Sequence, residues 1–100
     1  MTFTVTDVPD RERFEARDEA GTLAGVVTYQ LSGVIVVYTH TEVVPEFEGQ
    51  GVGALLARAV MDDARARSRT VVPMCPFLSG WLDKHPEYDK LVARTTRRVK

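Results

Sequence analysis

The 100 residues contain one cysteine, Cys75. That excludes an intramolecular disulfide, offers no cysteine cluster for a metal, and fits a reducing compartment. No stretch approaches the roughly 18 apolar residues that a membrane span requires. The opening MTFTVTDVPDRERF has no basic segment leading into an apolar run, so no secretory signal is expected. Neither sign of charge dominates: 13 basic and 14 acidic side chains leave a formal charge of -1. This balance argues against a general electrostatic grip on nucleic acid or an anionic membrane, so a charged partner must be recognised locally. Internal repeats, low-complexity segments and linkers are also missing. The expectation is a single cytoplasmic domain over residues 1–100, with no metal and no nucleic-acid or membrane partner.

A hydrophobic share of 44% is enough for one core. Residues 13–18 (RFEARD) lead into a turn at Glu19, Ala20 and Gly21, and residues 22–31 are rich in β-branched and aromatic side chains. Ser32-Gly33 supplies a hairpin signal before the strongest strand, residues 34–44. A further strand is expected near residues 2–6. The pattern changes at Gly49. Over residues 50–67, Val52, Leu55, Leu56, Ala59, Val60 and Ala64 recur at helical spacing, with Arg58, Asp62, Asp63, Arg65 and Arg67 between them. Residues 70–74 return to the sheet, which makes the unit a right-handed βαβ crossover grafted onto antiparallel strands. Pro76 opens a second helix whose apolar face is Phe77, Leu78, Trp81 and Leu82, and Pro86 stops it. A last turn or two over residues 87–93 precedes a basic tail at 94–100.

Three glycines, Gly49, Gly51 and Gly53, alternate directly after a strand and open a helix. Such a turn leaves several N–H groups without an intrahelical partner, and with the helix dipole they form an anion site. The run GQGVGA fits a loose dinucleotide pattern, but Val72-Pro73-Met74 ends the next strand without the ribose-binding carboxylate. No lysine follows the glycines, as a phosphate-loop ATPase requires. Phosphate binding and a purely structural strand-to-helix turn both remain open from the residues alone.

The passage THTEVVPEFEGQGVGALLARAVMDDARARS, followed by VVPMCPFLSGWLDKHPEY, resembles short acetyl-CoA-binding members of the GNAT superfamily of N-acetyltransferases. The similarity runs over roughly residues 13–92. It implies an α+β fold whose central strands splay apart, with acetyl-CoA as cosubstrate and an unknown amine as acceptor. It also implies that Gln50, Gly51, Val52 and Gly53, beside Gly49, hold the pyrophosphate, and that Val43 and Val44 border the pantetheine arm. One position departs: where the superfamily has Gln or Arg, this chain has Glu48.

Strict alternation along residues 34–44 puts Val34, Val36, Tyr38, His40, Glu42 and Val44 on one face. His40 and Glu42 are thus candidate bases for an acceptor amine, or else a solvated polar pair. Cys75 precedes Pro76 at a helix cap, where the dipole favours a thiolate; the alternative is a small buried hydrophobe. His85 and Tyr88 are expected to anchor the last helices. Two functions follow: an N-acetyltransferase, or a module that senses or carries acetyl-CoA without turnover.

Overall fold

The computed structural model describes residues 2–93; the expected basic tail at 94–100 lies outside the described residues. One five-stranded sheet runs in sequence order: β1 Thr4–Val8, β2 Arg13–Arg17, β3 Leu23–Ser32, β4 Ile35–Val43 and β5 Thr70–Pro73. Neighbours from β1 to β4 are antiparallel, and β4 with β5 is parallel. Helix α1 spans Val52–Ala66 and α2 spans Pro76–Asp83. Short 3-10 turns sit at Pro9–Arg11, Pro45–Phe47 and Pro86–Leu91, each begun by a proline whose fixed φ suits a helical first position.

Both helices lie on one face of the sheet. Phe14, Val27, Val36, Tyr38 and Val71 point into the same buried cluster as Leu56, Val60, Met61 and Ala64 of α1 and Leu78 and Leu82 of α2. Tyr38 is fully buried, and its hydroxyl donates to the Val60 carbonyl at 2.8 Å, so this polar tip is satisfied inside the core. Burial pushes its phenol well above the ordinary tyrosine range. Gly25 on β3 lets α1 approach closely: a Cβ there would stand 2.9 Å from the Glu42 carbonyl and 3.0 Å from Leu56.

The opposite face carries no helix among the described residues. Arg13, Glu15, Thr28, His40 and Glu42 occupy it. Arg13 and Arg17 bind the Glu15 carboxylate at 2.7 and 2.8 Å and cover it from water.

Strict alternation in β4 does not survive in the structure. Thr28 pairs with His40 but Tyr29 pairs with Tyr38, leaving Thr39 as an extra residue. This bulge sends His40 and Glu42 to the bare face, away from Val36 and Tyr38, and turns Thr41 and Val43 towards the helices. A 2.7 Å hydrogen bond between the Thr28 and Thr39 hydroxyls accompanies it. At the far end of the chain, Val92 bridges to Val71 and the Ala93 N–H donates to the Val71 carbonyl at 2.9 Å, closing the outer edge of β5.

Candidate functional site

The parallel pairing of β4 with β5 ends at Tyr38 and Pro73. The N–H groups of Met74 and Cys75 both converge on the Tyr38 carbonyl, at 3.0 and 3.1 Å. Beyond it β4 runs on to Val43 while the chain from Cys75 turns into α2, because Pro76 removes a donor and sets a helical φ. The two strands therefore part in a wedge. Among the described residues no strand lies beside one edge of residues 39–43, which leaves room there for an extended chain to add through backbone groups.

The wedge opens onto the glycine turn. Gly49 and Gly51 have φ of +84° and +81°, left-handed values that a side chain resists, and a Cβ on either would meet nothing within 4 Å. Gly51 is the cap residue of α1 and brings no side chain to the first N–H groups of the helix. Gly53 has another reason to be glycine. A Cβ there would come within 2.9 Å of the Phe77 ring, so the absence of a side chain admits Phe77 against the first turn of α1.

These groups border a cavity of about 440 Å³, whose floor is Gly51, Val52, Gly53 and Ala54 and whose walls are Val43, Phe47, Phe77 and Trp81. Gly49 and Glu48 stand at its margin, and Glu48 is the one charged residue that lines it. Of the positions expected to touch a cofactor, Val43, Gly49, Gly51, Val52 and Gly53 come together here. Gln50 is exposed and Val44 lines a separate hollow with Arg13 and Glu42.

The three catalytic candidates do not form one cluster. Cys75 is only 2% exposed, and its thiol donates to the Thr41 hydroxyl at 3.1 Å, a bond that spans the wedge. It is the cap residue of α2, yet its sulfur makes no bond to the helix N–H groups. Cys75 thus occupies the helix cap expected of it, while its sulfur is paired with β4. His40 and Glu42 do share a face, with Nε2 and Oε1 3.8 Å apart, but both are largely exposed and look out from the bare side of the sheet. Thr41 went unseen in the sequence because only the bulge turns it inward. Phe77 and Trp81 were visible as an apolar helix face, with nothing to show that it lines a cavity.

His85 and Tyr88 have structural surroundings. The His85 ring stacks on Trp81 at 3.7 Å, and its Nδ1 lies 2.7 Å from the Trp81 carbonyl. The Tyr88 hydroxyl donates to Asp62 at 2.6 Å and accepts from Arg58 at 3.1 Å, tying the last turn to α1. Burial, then the bond to Asp62, raises the Tyr88 phenol above its ordinary value of 10.0.

A family model described as GCN5-related N-acetyl-transferase matches residues 13–91. The chain belongs to this family. Among solved structures, a GCN5-like protein from Staphylococcus aureus, ascribed N-acetyltransferase activity, is 25% identical with a TM-score of 0.69; the match covers 90% of this chain and 87% of that one. Nourseothricin acetyltransferase is 26% identical with a TM-score of 0.50, over 69% of this chain and 55% of its own. A Pyrococcus furiosus protein ascribed acetyltransferase activity shares the fold at 23% identity and a TM-score of 0.53, over 72% and 56%. No curated protein matches the sequence. The mixed sheet, the parallel β4–β5 pair and the crossover helix are thus those of a GCN5-related N-acetyltransferase, and the chain is an acetyltransferase by family. No described helix is long and apolar enough to cross a membrane.

Proposed function

We propose that this GCN5-related protein binds acetyl-CoA and transfers the acetyl group to an amine. The observation that carries the reading is the wedge, whose open side leads straight to a helix start capped by glycine. Gly49, Gln50, Gly51, Val52 and Gly53 would hold the pyrophosphate through backbone donors and the helix dipole. The open space beside Gly49 and Gly51 leaves room for phosphate oxygens. Val43 and the neighbouring edge of β4, continued by Val44, would take the pantetheine arm as a substitute strand.

In the direct route the acceptor nitrogen attacks the thioester carbonyl, a C–N bond forms, and the C–S bond breaks. The coenzyme thiolate leaves and takes up the proton released by the amine, while strand N–H groups stabilise the oxyanion. His40 and Glu42 would act as bases for an acceptor that reaches them from the bare face. Cys75 suits a two-step route: its sulfur would form an S–acetyl bond as the coenzyme C–S bond breaks, the Cys75 thiol proton passing to the departing coenzyme thiolate, and the amine would then attack this acetyl group, its released proton restoring the Cys75 thiol.

Binding without turnover is the second reading, favoured by the burial of Cys75 and by its separation from His40 and Glu42 across the sheet. Incubation with acetyl-CoA and a panel of amines distinguishes them, with thiol release and acceptor mass as readouts. Catalysis predicts thiol release that depends on the amine; saturable binding with no acetylated product supports the carrier. Gly51→Asp, which adds a like charge beside the phosphates, should abolish binding in a folded protein. Unchanged affinity in that variant removes the turn from the site.

A further inference from the structure

A second cavity, of about 380 Å³, adjoins the first across a shared wall of Phe77 and Trp81 and is completed by Pro76, Gly80 and Lys84. We infer that this hollow receives the nucleoside end of coenzyme A, and that Lys84 selects the ligand that carries a ribose 3′-phosphate. The inference rests on the reading of the glycine turn given above, and it names the part of the ligand that the turn and the wedge leave without a seat. A ligand held at its pyrophosphate has two arms. One arm is matched by the wedge, and the other has to cross the Phe77–Trp81 wall.

Gly80 points the same way. It lies inside α2, its φ is not left-handed, and a Cβ there would meet nothing within 4 Å. Neither conformation nor packing therefore requires glycine, although glycine weakens a helix interior relative to alanine. Its bare backbone does give the hollow a flat floor between Phe77 and Lys84. Phe77 is 45% exposed, an unusual state for a large ring beside the site, and it offers a face on which a purine base can stack.

Charge completes the argument. The first cavity is lined by one charged group, the anionic Glu48, and the second by one, the cationic Lys84. Lys84 makes no ion pair among the described residues. It stands at the C-cap of α2, seven positions beyond Phe77 and about 10 Å further along the helix axis. That spacing suits a base on Phe77 with its ribose phosphate near the ammonium group.

The test titrates the full chain with coenzyme A, 3′-dephospho-coenzyme A and 4′-phosphopantetheine. Calorimetry and the fluorescence of Trp81, the sole tryptophan, read the binding. Coenzyme A is expected to bind about tenfold tighter than the dephospho form, a preference that shrinks in high salt and disappears in Lys84→Gln. Gly80→Leu should fold with an unchanged or higher thermal midpoint, weaken both nucleotide ligands and leave 4′-phosphopantetheine unaffected. Equal affinity for coenzyme A and its dephospho form, or a preference that persists in Lys84→Gln, overturns the inference while the glycine turn stands. Equal binding of 4′-phosphopantetheine and coenzyme A does the same. If none of the three binds, the reading of the turn falls and takes this one with it.

Discussion

Glu48 sets the charge of the cavity beside the glycine turn. An anion at that margin repels phosphates, so Glu48→Arg is expected to tighten coenzyme A binding by roughly 1 kcal/mol, about fivefold, at low ionic strength. The gain should fade as salt is added, and calorimetry at two salt concentrations checks both points. Cys75 is the residue on which the chemical route turns. In Cys75→Ala, direct transfer predicts amine acetylation at the wild-type rate, whereas the two-step route predicts its loss, together with an acetylated Cys75 peptide from the unaltered protein by mass spectrometry. Glu15 gives a pH signature. Hydrogen bonds from Arg17, then Arg13, hold its carboxyl below the ordinary value of 4.5. A lowered folded-state pKa contributes stability above the unfolded value, and that contribution is lost as pH falls through the folded one. Glu15→Gln should therefore unfold at lower urea than the parent at pH 7, and the gap should close as pH falls through the lowered value of the Glu15 carboxyl.

At the scale of elements, α1 ends in a motif usually built on glycine. The Arg69 N–H reaches the Ala64 carbonyl at 2.9 Å and the Ser68 N–H reaches Arg65 at 3.1 Å, with Ser68 at φ of 56°. A side chain in the left-handed region costs about 1 kcal/mol, so Ser68→Gly is expected to stabilise the protein by up to that amount in thermal or urea unfolding. Gly25→Ala should do the reverse. Its new methyl would collide with the Glu42 carbonyl and with Leu56 and Val52, and a loss of about 1–3 kcal/mol is expected in the same measurement.

The elements themselves were legible because their periods differ. Alternating β-branched residues mark β3 and β4, and the helical recurrence from Val52 to Ala64 marks α1, with observed ends within about two residues of those expected. The glycine turn was legible as a turn, since Gly49 and Gly51 stand between a strand and a helix where the backbone takes left-handed values. The bulge at Thr39 was not. Every residue near it is compatible with either face until β3 is laid alongside, and the pairing that decides it depends on residues far away in sequence. The Cys75–Thr41 bond was hidden for the same reason, as it joins positions 34 residues apart.

At the scale of the molecule, one face of the sheet is filled and the other is bare among the described residues. The filled face carries the core, the wedge and the glycine turn, while the bare face presents His40, Glu42 and the covered Glu15. An acceptor that depends on His40 or Glu42 must approach from the bare side. His40→Ala and Glu42→Ala should accordingly leave coenzyme A affinity unchanged, and any effect should fall on acceptor kinetics.

Which chemistry lies on which side is decided by the parity of one strand. A strand counts its side chains in twos, and Thr39 adds one to the count. Above it Val36 and Tyr38 are inward; below it Thr41 and Val43 are inward, although an uninterrupted strand would turn them out. Deleting Thr39 would bring His40 directly after Tyr38 in the register that Thr28 and Tyr29 already present, so Thr41 and Val43 would keep their place in the wedge. A residue inserted in β3 opposite Thr39 would do the reverse: the strands would pair without a bulge, His40 and Glu42 would share a face with Tyr38, and Thr41 and Val43 would leave the wedge for solvent. The alternation of β4 would then be unbroken, and the protein would have lost its site.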